Sequence, residues 1–276
     1  MTIADAIRAA ADRLFATSDT ARLDAELLMA HVLRLSRSDM LLRHMRDEAA
    51  PHLASFDALV ARRTAHEPIA YILGRQEFFG HEFAVMPGVL IPRGDSETLV
   101  RAALEMAPDA GRVLDMGTGS GALLISSLLA NTGAQGIGID ASETAALVAS
   151  ANASAHGLSG RVQILRRSWR DEGWADDLGQ FDLILCNPPY VESDAVLDPD
   201  VCDHEPTEAL FSGPEGLDDY RVIIPQLGKL LFSGGVAIFE IGHLQAAQVS
   251  DIAHESGFTV EVLHDLGGRD RALVLT

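Results

Sequence analysis

The chain has 276 residues, 47% of them hydrophobic and 22% charged, with 21 Lys and Arg against 40 Asp and Glu for a formal net charge of −19. That hydrophobic share can bury the core of one large domain, or of a medium domain joined to a small one. The acid excess disfavours a general nucleic-acid or membrane-surface binder, because both partners are polyanions held by Lys and Arg.

Residues 1–75 carry ten basic and ten acidic side chains, whereas residues 76–276 carry eleven and thirty, so the whole net charge falls in the second part. This break predicts two domains. The start, MTIADAIRAAADRLF, lacks a cationic stretch followed by an apolar core and predicts no signal peptide. No apolar run approaches the ~18 residues of a membrane span, so a cytoplasmic protein is expected. Ile3, Ala6, Ile7, Ala10 and Leu14 recur at helical spacing, as do Leu23, Leu27, Leu28, Val32 and Leu35. Ser18, Asp19 and Thr20 between them suit N-caps. Leu53, Phe56, Leu59 and Val60 continue the pattern after Pro51. Residues 1–75 are therefore expected to form a small helical bundle, and a neutral bundle beside an acidic body suits recognition of a partner. In 76–92 and the stretch just before it, Gly74, Gly80 and Gly88 punctuate aromatic and β-branched residues, predicting a hairpin linker.

From residue 93 to 276, short apolar strands alternate with helical stretches: 112–116, 122–130, 136–140, 144–153, 161–165, 181–186, 222–231 and 235–242. Such alternation predicts an α/β fold, a mostly parallel Rossmann-like sheet with helices on both faces. The tail reads as two strands around Gly267 and Gly268. Ligands of open sheets bind at the carboxyl ends of strands, so functional residues should follow strands. Cys186 and Cys202 fit neither a zinc nor a disulfide pattern, and no metal is expected.

Two strand ends stand out. The first runs Asp115-Met116-Gly117-Thr118-Gly119-Ser120-Gly121 into a helix, and the next strand ends at Asp140. Glycines let a ligand approach the backbone, and a terminal carboxylate can accept both hydroxyls of an adenosine ribose. The spacing departs from G-x-G-x-x-G, and an acid two residues before the first glycine suits a ligand with a positive amino group, which favours S-adenosylmethionine over NAD. At the second, FDLILC runs into Asn187-Pro188-Pro189-Tyr190. Consecutive prolines hold the chain extended, which by itself makes a stiff strand exit. Beside a nucleotide-type pocket the same residues offer two acceptors, the Asn187 side-chain oxygen and a proline carbonyl, for the N–H bonds of a planar amino group that Tyr190 could cover. An amide or aromatic amine nitrogen is a poor nucleophile, so catalysis is expected from positioning and charge stabilisation. Glu240 at a strand end reads as structural, and His204 and His243 as lone histidines without ligand spacing.

GTGSG at 117–121, GID at 138–140, SW at 168–169 and NPPY at 187–190 resemble class I S-adenosylmethionine-dependent methyltransferases acting on an amino group. With RLDAELLMAHVL at 22–33, EPIAYILG at 67–74, IPRGDSE at 91–97, EP at 205–206, EGLDDYR at 215–221 and EIG at 240–242, the chain resembles the bacterial release factor glutamine methyltransferases, the HemK/PrmC family. The resemblance implies S-adenosylmethionine as cofactor. Gly117, Thr118, Gly119, Ser120 and Gly121 would wrap its methionine part, Asp140 would hold the ribose and Trp169 would lie by the adenine. Asn187 would touch both cofactor and substrate, and Asn187, Pro188, Pro189 and Tyr190 would clamp a glutamine amide. The implied substrate is the glutamine of the Gly-Gly-Gln motif in class 1 peptide chain release factors, with residues 1–75 helping to hold that protein. Gly94 replaces the proline usual in this motif, and Arg166-Arg167 stand where an acid often lies near the adenine.

Other readings share the clamp. A glutamine methyltransferase of a ribosomal protein is the nearer one, and the Asp and Glu of IPRGDSE favour the release factor branch. An adenine-specific DNA or RNA methyltransferase needs a basic face, whereas residues 191–208 hold seven acids. A binding module without chemistry sits poorly with an intact NPPY and Gly-rich turn.

Overall fold

A computed structural model describes residues 1–276 and resolves into two compact units, Met1–Arg75 with Leu197–His204, and Gln76–Val196 with Glu205–Thr276.

The helical unit contains the helices Ile3–Leu14, Ala21–Leu33, Leu53–Thr64 and Ile69–Leu73, with a short helical stretch over 37–44. A capping box starts the first: Thr2 Oγ1 accepts from the Asp5 N–H at 3.2 Å, and Asp5 Oδ2 accepts from the Thr2 N–H at 3.1 Å. Its stripe of Ile3, Ile7, Ala10 and Leu14 packs with Leu28, Met29, Phe56 and Val60 into one apolar core. Ser18 and Thr20 do not cap through their side chains. Their hydroxyls donate to Asp24 at 2.7 and 2.9 Å because that carboxylate is buried and needs donors. Arg63, also buried, completes its environment at 2.7 Å. IAYIL forms a helix closed by Gly74 in the left-handed region, so the expected hairpin is confined to β1 (Arg75–Phe78) and β2 (His81–Ala84).

Segment Leu197–His204 packs within the helical unit, although in sequence it reads as part of the acidic loop of the larger body. Asp200 accepts from Arg63 at 2.7 Å and pairs with His66 at 2.9 Å, and His204 Nε2 lies 3.3 Å from the Ala65 carbonyl.

The larger unit is built on a seven-stranded sheet: β3 (Arg112–Met116), β4 (Gln135–Asp140), β5 (Val162–Arg166), β6 (Phe181–Cys186), β7 (Leu231–Glu240), β8 (Val260–His264) and β9 (Asp270–Leu275). The order is β5-β4-β3-β6-β7-β9-β8, parallel throughout except that β9 runs antiparallel between β7 and β8. Val113, Leu183, Leu185 and Ile238 pack on one face under the helices Glu97–Met106, Ala122–Ala130 and Glu143–Ala155. Leu114, Ile184, Cys186 and Phe239 pack on the other, under the helical residues Tyr220, Ile223, Leu227, Val249 and Ala253. Burial on both faces is why these strands read as continuous apolar runs. The stretch 222–231 is helical to Leu230, and β7 begins at Leu231, four residues earlier than the sequence pattern suggests.

Register places the site. Met116 on β3 pairs with Ile139 on β4 and with Cys186 on β6, and Cys186 pairs with Phe239 on β7. The next residue along each strand, Gly117, Asp140, Asn187 and Glu240, therefore emerges at one level of the sheet's carboxyl edge.

Candidate active site

A cavity of about 760 Å³ opens at that edge. Its lining includes Gly117, Thr118, Gly119, Ser120, Asp140, Trp169, Asn187 and Pro189, which the sequence singled out. Gly121 stands behind them as the N-cap of helix Ala122–Ala130, and Pro188 is buried off the cavity wall. No His, Cys or Lys lines the cavity; its titratable side chains are Arg93, Asp140, Arg170, Glu208 and Asp219.

The Gly-rich turn is held from two sides. The Gly117 and Thr118 N–H groups donate to the Ile139 carbonyl at 2.9 Å, and the Gly119 N–H donates to Asp140 Oδ2 at 2.9 Å. Asp140 Oδ1 accepts from the Ser142 N–H at 2.8 Å. Burial raises the Asp140 pKa, while these two N–H groups pull it back down. Gly117 has φ +74°, and a Cβ there would lie 3.2 Å from Trp169 Cη2, so the glycine lets the indole close against the turn.

Trp169 Nε1 donates to Asp219 Oδ1 at 2.9 Å, and Arg170 reaches the same oxygen at 2.7 Å. Asp219 is buried and takes the Ser212 hydroxyl on its other oxygen at 2.8 Å. It comes from EGLDDYR and fixes the indole, a role with no local sequence signal. The Arg166-Arg167 departure leaves the cavity untouched: Arg166 is exposed toward Glu143, and Arg167 pairs with Asp177.

Asp115, expected to face a positively charged ligand group, is instead fully buried outside the cavity lining. Thr118 Oγ1 donates to its Oδ2 at 2.6 Å, and Oδ1 has no partner. Burial pushes its pKa up to about 7, against the Thr118 hydrogen bond. An unfolded Asp titrates near 4. Asp115 thus costs nothing below about pH 4, and stability falls as pH rises from there through about 7, by on the order of 2–4 kcal/mol. Asp115→Asn keeps an acceptor for Thr118 and removes this loss. Thermal unfolding of the ligand-free variant is expected to show a gain over wild type of several degrees at pH 8 and a smaller one at pH 5.5.

Tyr190 does not line the cavity. Its hydroxyl donates to Glu240 Oε1 at 3.2 Å, so it turns toward the sheet rather than across the cavity mouth. Burial and the Glu240 charge both raise its pKa. The backbone after NPPY is clamped: the Val191 N–H donates to the Leu210 carbonyl at 2.8 Å, and Gln245 Nε2 donates to the Tyr190 carbonyl at 2.9 Å. Gly216, at φ +67°, passes so close that a Cβ would lie 2.2 Å from that carbonyl oxygen.

IPRGDSE lines the cavity with Ile91, Pro92, Arg93 and Ser96, while its charged side chains make structural pairs. Arg93 pairs with buried Glu205, and Asp95 meets Arg271 at 3.1 Å. Glu97 accepts the Phe79 N–H at 3.1 Å and holds Arg101 at 2.5 Å. Of the seven acids between 191 and 208, Asp200 and Glu205 are thus spent on structural partners. Glu192, Asp194, Asp198, Asp203 and Glu208 are exposed, with Glu208 on the cavity rim.

A seven-stranded sheet of this topology with a Gly-rich turn and NPPY at its carboxyl edge defines an α/β methyltransferase. Residues 94–203 match the family model "Methyltransferase small domain", and residues 5–74 match "PrmC N-terminal domain". The release factor glutamine methyltransferase of Rhodospirillum rubrum is 40% identical over 92% of this chain and 78% of its own. That of Cereibacter sphaeroides is 39% identical over 98% and 97%. A solved ribosomal protein L11 methylase from Lactobacillus delbrueckii subsp. bulgaricus superposes with a TM-score of 0.50 at 25% identity, covering 70% of this chain and 83% of that one. The chain belongs to the release factor glutamine methyltransferase family.

Proposed function

We propose that this protein transfers a methyl group from S-adenosylmethionine to the side-chain amide nitrogen of the Gly-Gly-Gln glutamine in class 1 peptide chain release factors, with residues 1–75 contributing to recognition of that protein. One observation carries the reading: the carboxamide of Asn187 borders the same cavity as a Gly-rich turn and the Asp140 carboxylate.

The cavity fits the cofactor by volume, within the range of small-molecule sites, and by the nature of its walls. Gly117, Thr118, Gly119 and Ser120 would hold the methionine part, Asp140 the ribose hydroxyls and Trp169 the adenine side. When bound, the cofactor supplies an electrophilic methyl group on a sulfonium. Asn187 Oδ1 would accept one amide N–H and a proline carbonyl of the motif the other, which would fix the glutamine nitrogen beside the methyl group that the cofactor supplies. As the nitrogen attacks, positive charge grows on it, and acceptors aimed at its N–H bonds stabilise that charge. The methylated nitrogen is acidic and releases its proton to water, consistent with a cavity free of His, Cys and Lys. The exposed acids of 191–208 suit a basic protein surface and repel a phosphate backbone.

The test is incubation with methyl-labelled S-adenosylmethionine and purified release factor, followed by mass analysis of the Gly-Gly-Gln peptide. One added methyl on the glutamine is the expected result. Label in ribosomal protein or nucleic acid alone, or nowhere, would overturn the assignment.

A further inference from the structure

The two carboxylate oxygens of Asp219 serve different parts of the site. Oδ1 faces the cofactor side, taking Trp169 Nε1 at 2.9 Å and Arg170 at 2.7 Å. Oδ2 accepts from the Ser212 hydroxyl at 2.8 Å, and that hydroxyl accepts the Asp219 N–H, also at 2.8 Å. Asp219 and Ser212 are each 2% exposed, so breaking their pairing would strand buried polar atoms. Ser212 in turn belongs to a short parallel ladder between 191–193 and 210–213. The Val191 N–H donates to the Leu210 carbonyl at 2.8 Å, the Ser212 N–H to the Val191 carbonyl at 2.9 Å, and the Ser193 N–H to the Gly213 carbonyl at 2.9 Å. Val191 directly follows Tyr190, so this ladder holds the exit of the NPPY segment. Asp219 and Phe211 border the cavity, whereas Ser212 does not.

The carboxylate thus bonds both to the wall proposed for the adenine and to the ladder behind the clamp. Trp169 rests against the Gly-rich turn, where a Cβ on Gly117 would come within 3.2 Å of it, so a cofactor lying there orders the indole. An ordered indole keeps its N–H on Oδ1, and a carboxylate fixed in that direction keeps Oδ2 aimed at Ser212. The entropy of ordering this chain of bonds is then lost once, on binding of the first ligand, and not again on binding of the second. We propose that Asp219 is a positioning residue that couples the two halves of the site: occupancy of the cofactor side stabilises the ladder between 191–193 and 210–213 and thereby tightens binding of the protein substrate. By linkage, the release factor tightens the cofactor by the same factor. The inference rests on the cofactor and substrate sites proposed above.

In wild type, saturating S-adenosylhomocysteine is expected to tighten release factor binding about fivefold by calorimetry, the lower end of ordinary coupling between sites. Asp219→Ala removes both links and should bring that ratio to about one, while weakening S-adenosylhomocysteine itself about tenfold. Ser212→Ala is the sharper variant, because Ser212 lies off the cavity wall. The affinity for S-adenosylhomocysteine should stay within about threefold of wild type while the ratio falls to about one. Asp219→Asn keeps both links, with Oδ1 accepting from Trp169 and Nδ2 donating to Ser212 Oγ, and should hold the ratio within about twofold of wild type. Hydrogen exchange at the Val191 and Ser212 N–H groups needs no release factor: both should slow when S-adenosylhomocysteine binds wild type, and neither when it binds Ser212→Ala. Should the alanine variants fail to fold, the exchange in wild type and the ratio in Asp219→Asn still decide. Release factor binding in wild type that ignores S-adenosylhomocysteine, a ratio preserved in either alanine variant or lost in Asp219→Asn, or exchange that does not respond would each overturn the coupling. If wild type binds S-adenosylhomocysteine but neither binds nor methylates a release factor, it is the proposed function that fails, and the exchange measurement still decides the coupling. No binding of S-adenosylhomocysteine would overturn both.

Discussion

Asn187→Ala is expected to lower kcat for glutamine methylation at least 100-fold, about the cost of one positioned transition-state group. The size follows from what the side chain is proposed to do. An amide nitrogen attacks poorly because its lone pair is delocalised, so the barrier falls when the nitrogen is held in line and its growing charge meets a fixed acceptor. Alanine removes that acceptor and its alignment while Pro188 and Pro189 keep the backbone extended. Since Gln245 and Leu210 hold the following backbone, the loop should survive the change, and thermal unfolding should stay within a few degrees of wild type. Single-turnover kinetics separates the effect on chemistry from effects on binding. Near-normal turnover would remove the clamp from the mechanism.

Asp140→Ala is expected to weaken S-adenosylmethionine binding about 100-fold by calorimetry, and Asp140→Asn about tenfold. This carboxylate accepts from Gly119 on one oxygen and from Ser142 on the other, so it braces the Gly-rich turn besides offering lone pairs to a ribose. Hydrogen bonds to a charged group are worth ~1.5–3 kcal/mol each, and alanine forfeits both along with the ribose contact, whereas asparagine keeps one acceptor. The loss should appear in the dissociation constant of the cofactor. The ordering of the two variants distinguishes bracing by a charge from simple filling of space.

What the sequence displayed was the part of the site carried by strand ends. Gly117, Asp140 and Asn187 each follow an apolar run, and parallel register brings them to one level, so local pattern and tertiary position coincide. Glu240 shares that level, but a lone acid after a strand has no pattern to mark its contacts. Asp219 and Ser96 act across ~50 and ~90 residues of chain, on Trp169 and Asn187, and such pairings arise only from packing. Asp115 shows the reverse: its place in the motif suggested a ligand contact, but β3 turns it into the protein, off the cavity wall. Tyr190 likewise found its partner in Glu240 because a buried phenol needs an acceptor.

Segment Leu197–His204 gives the molecule a modular grammar different from the one its chain order implies. The helical unit is spelled by two passages, one at the start and one some 120 residues after it. Cleavage after residue 75 would not release it whole: the fragment would keep buried Arg63 and lose Asp200, one of its two carboxylate partners. Recombination that exchanges this unit between relatives must carry both passages as a matched pair, because Asp200 on one partners Arg63 and His66 on the other.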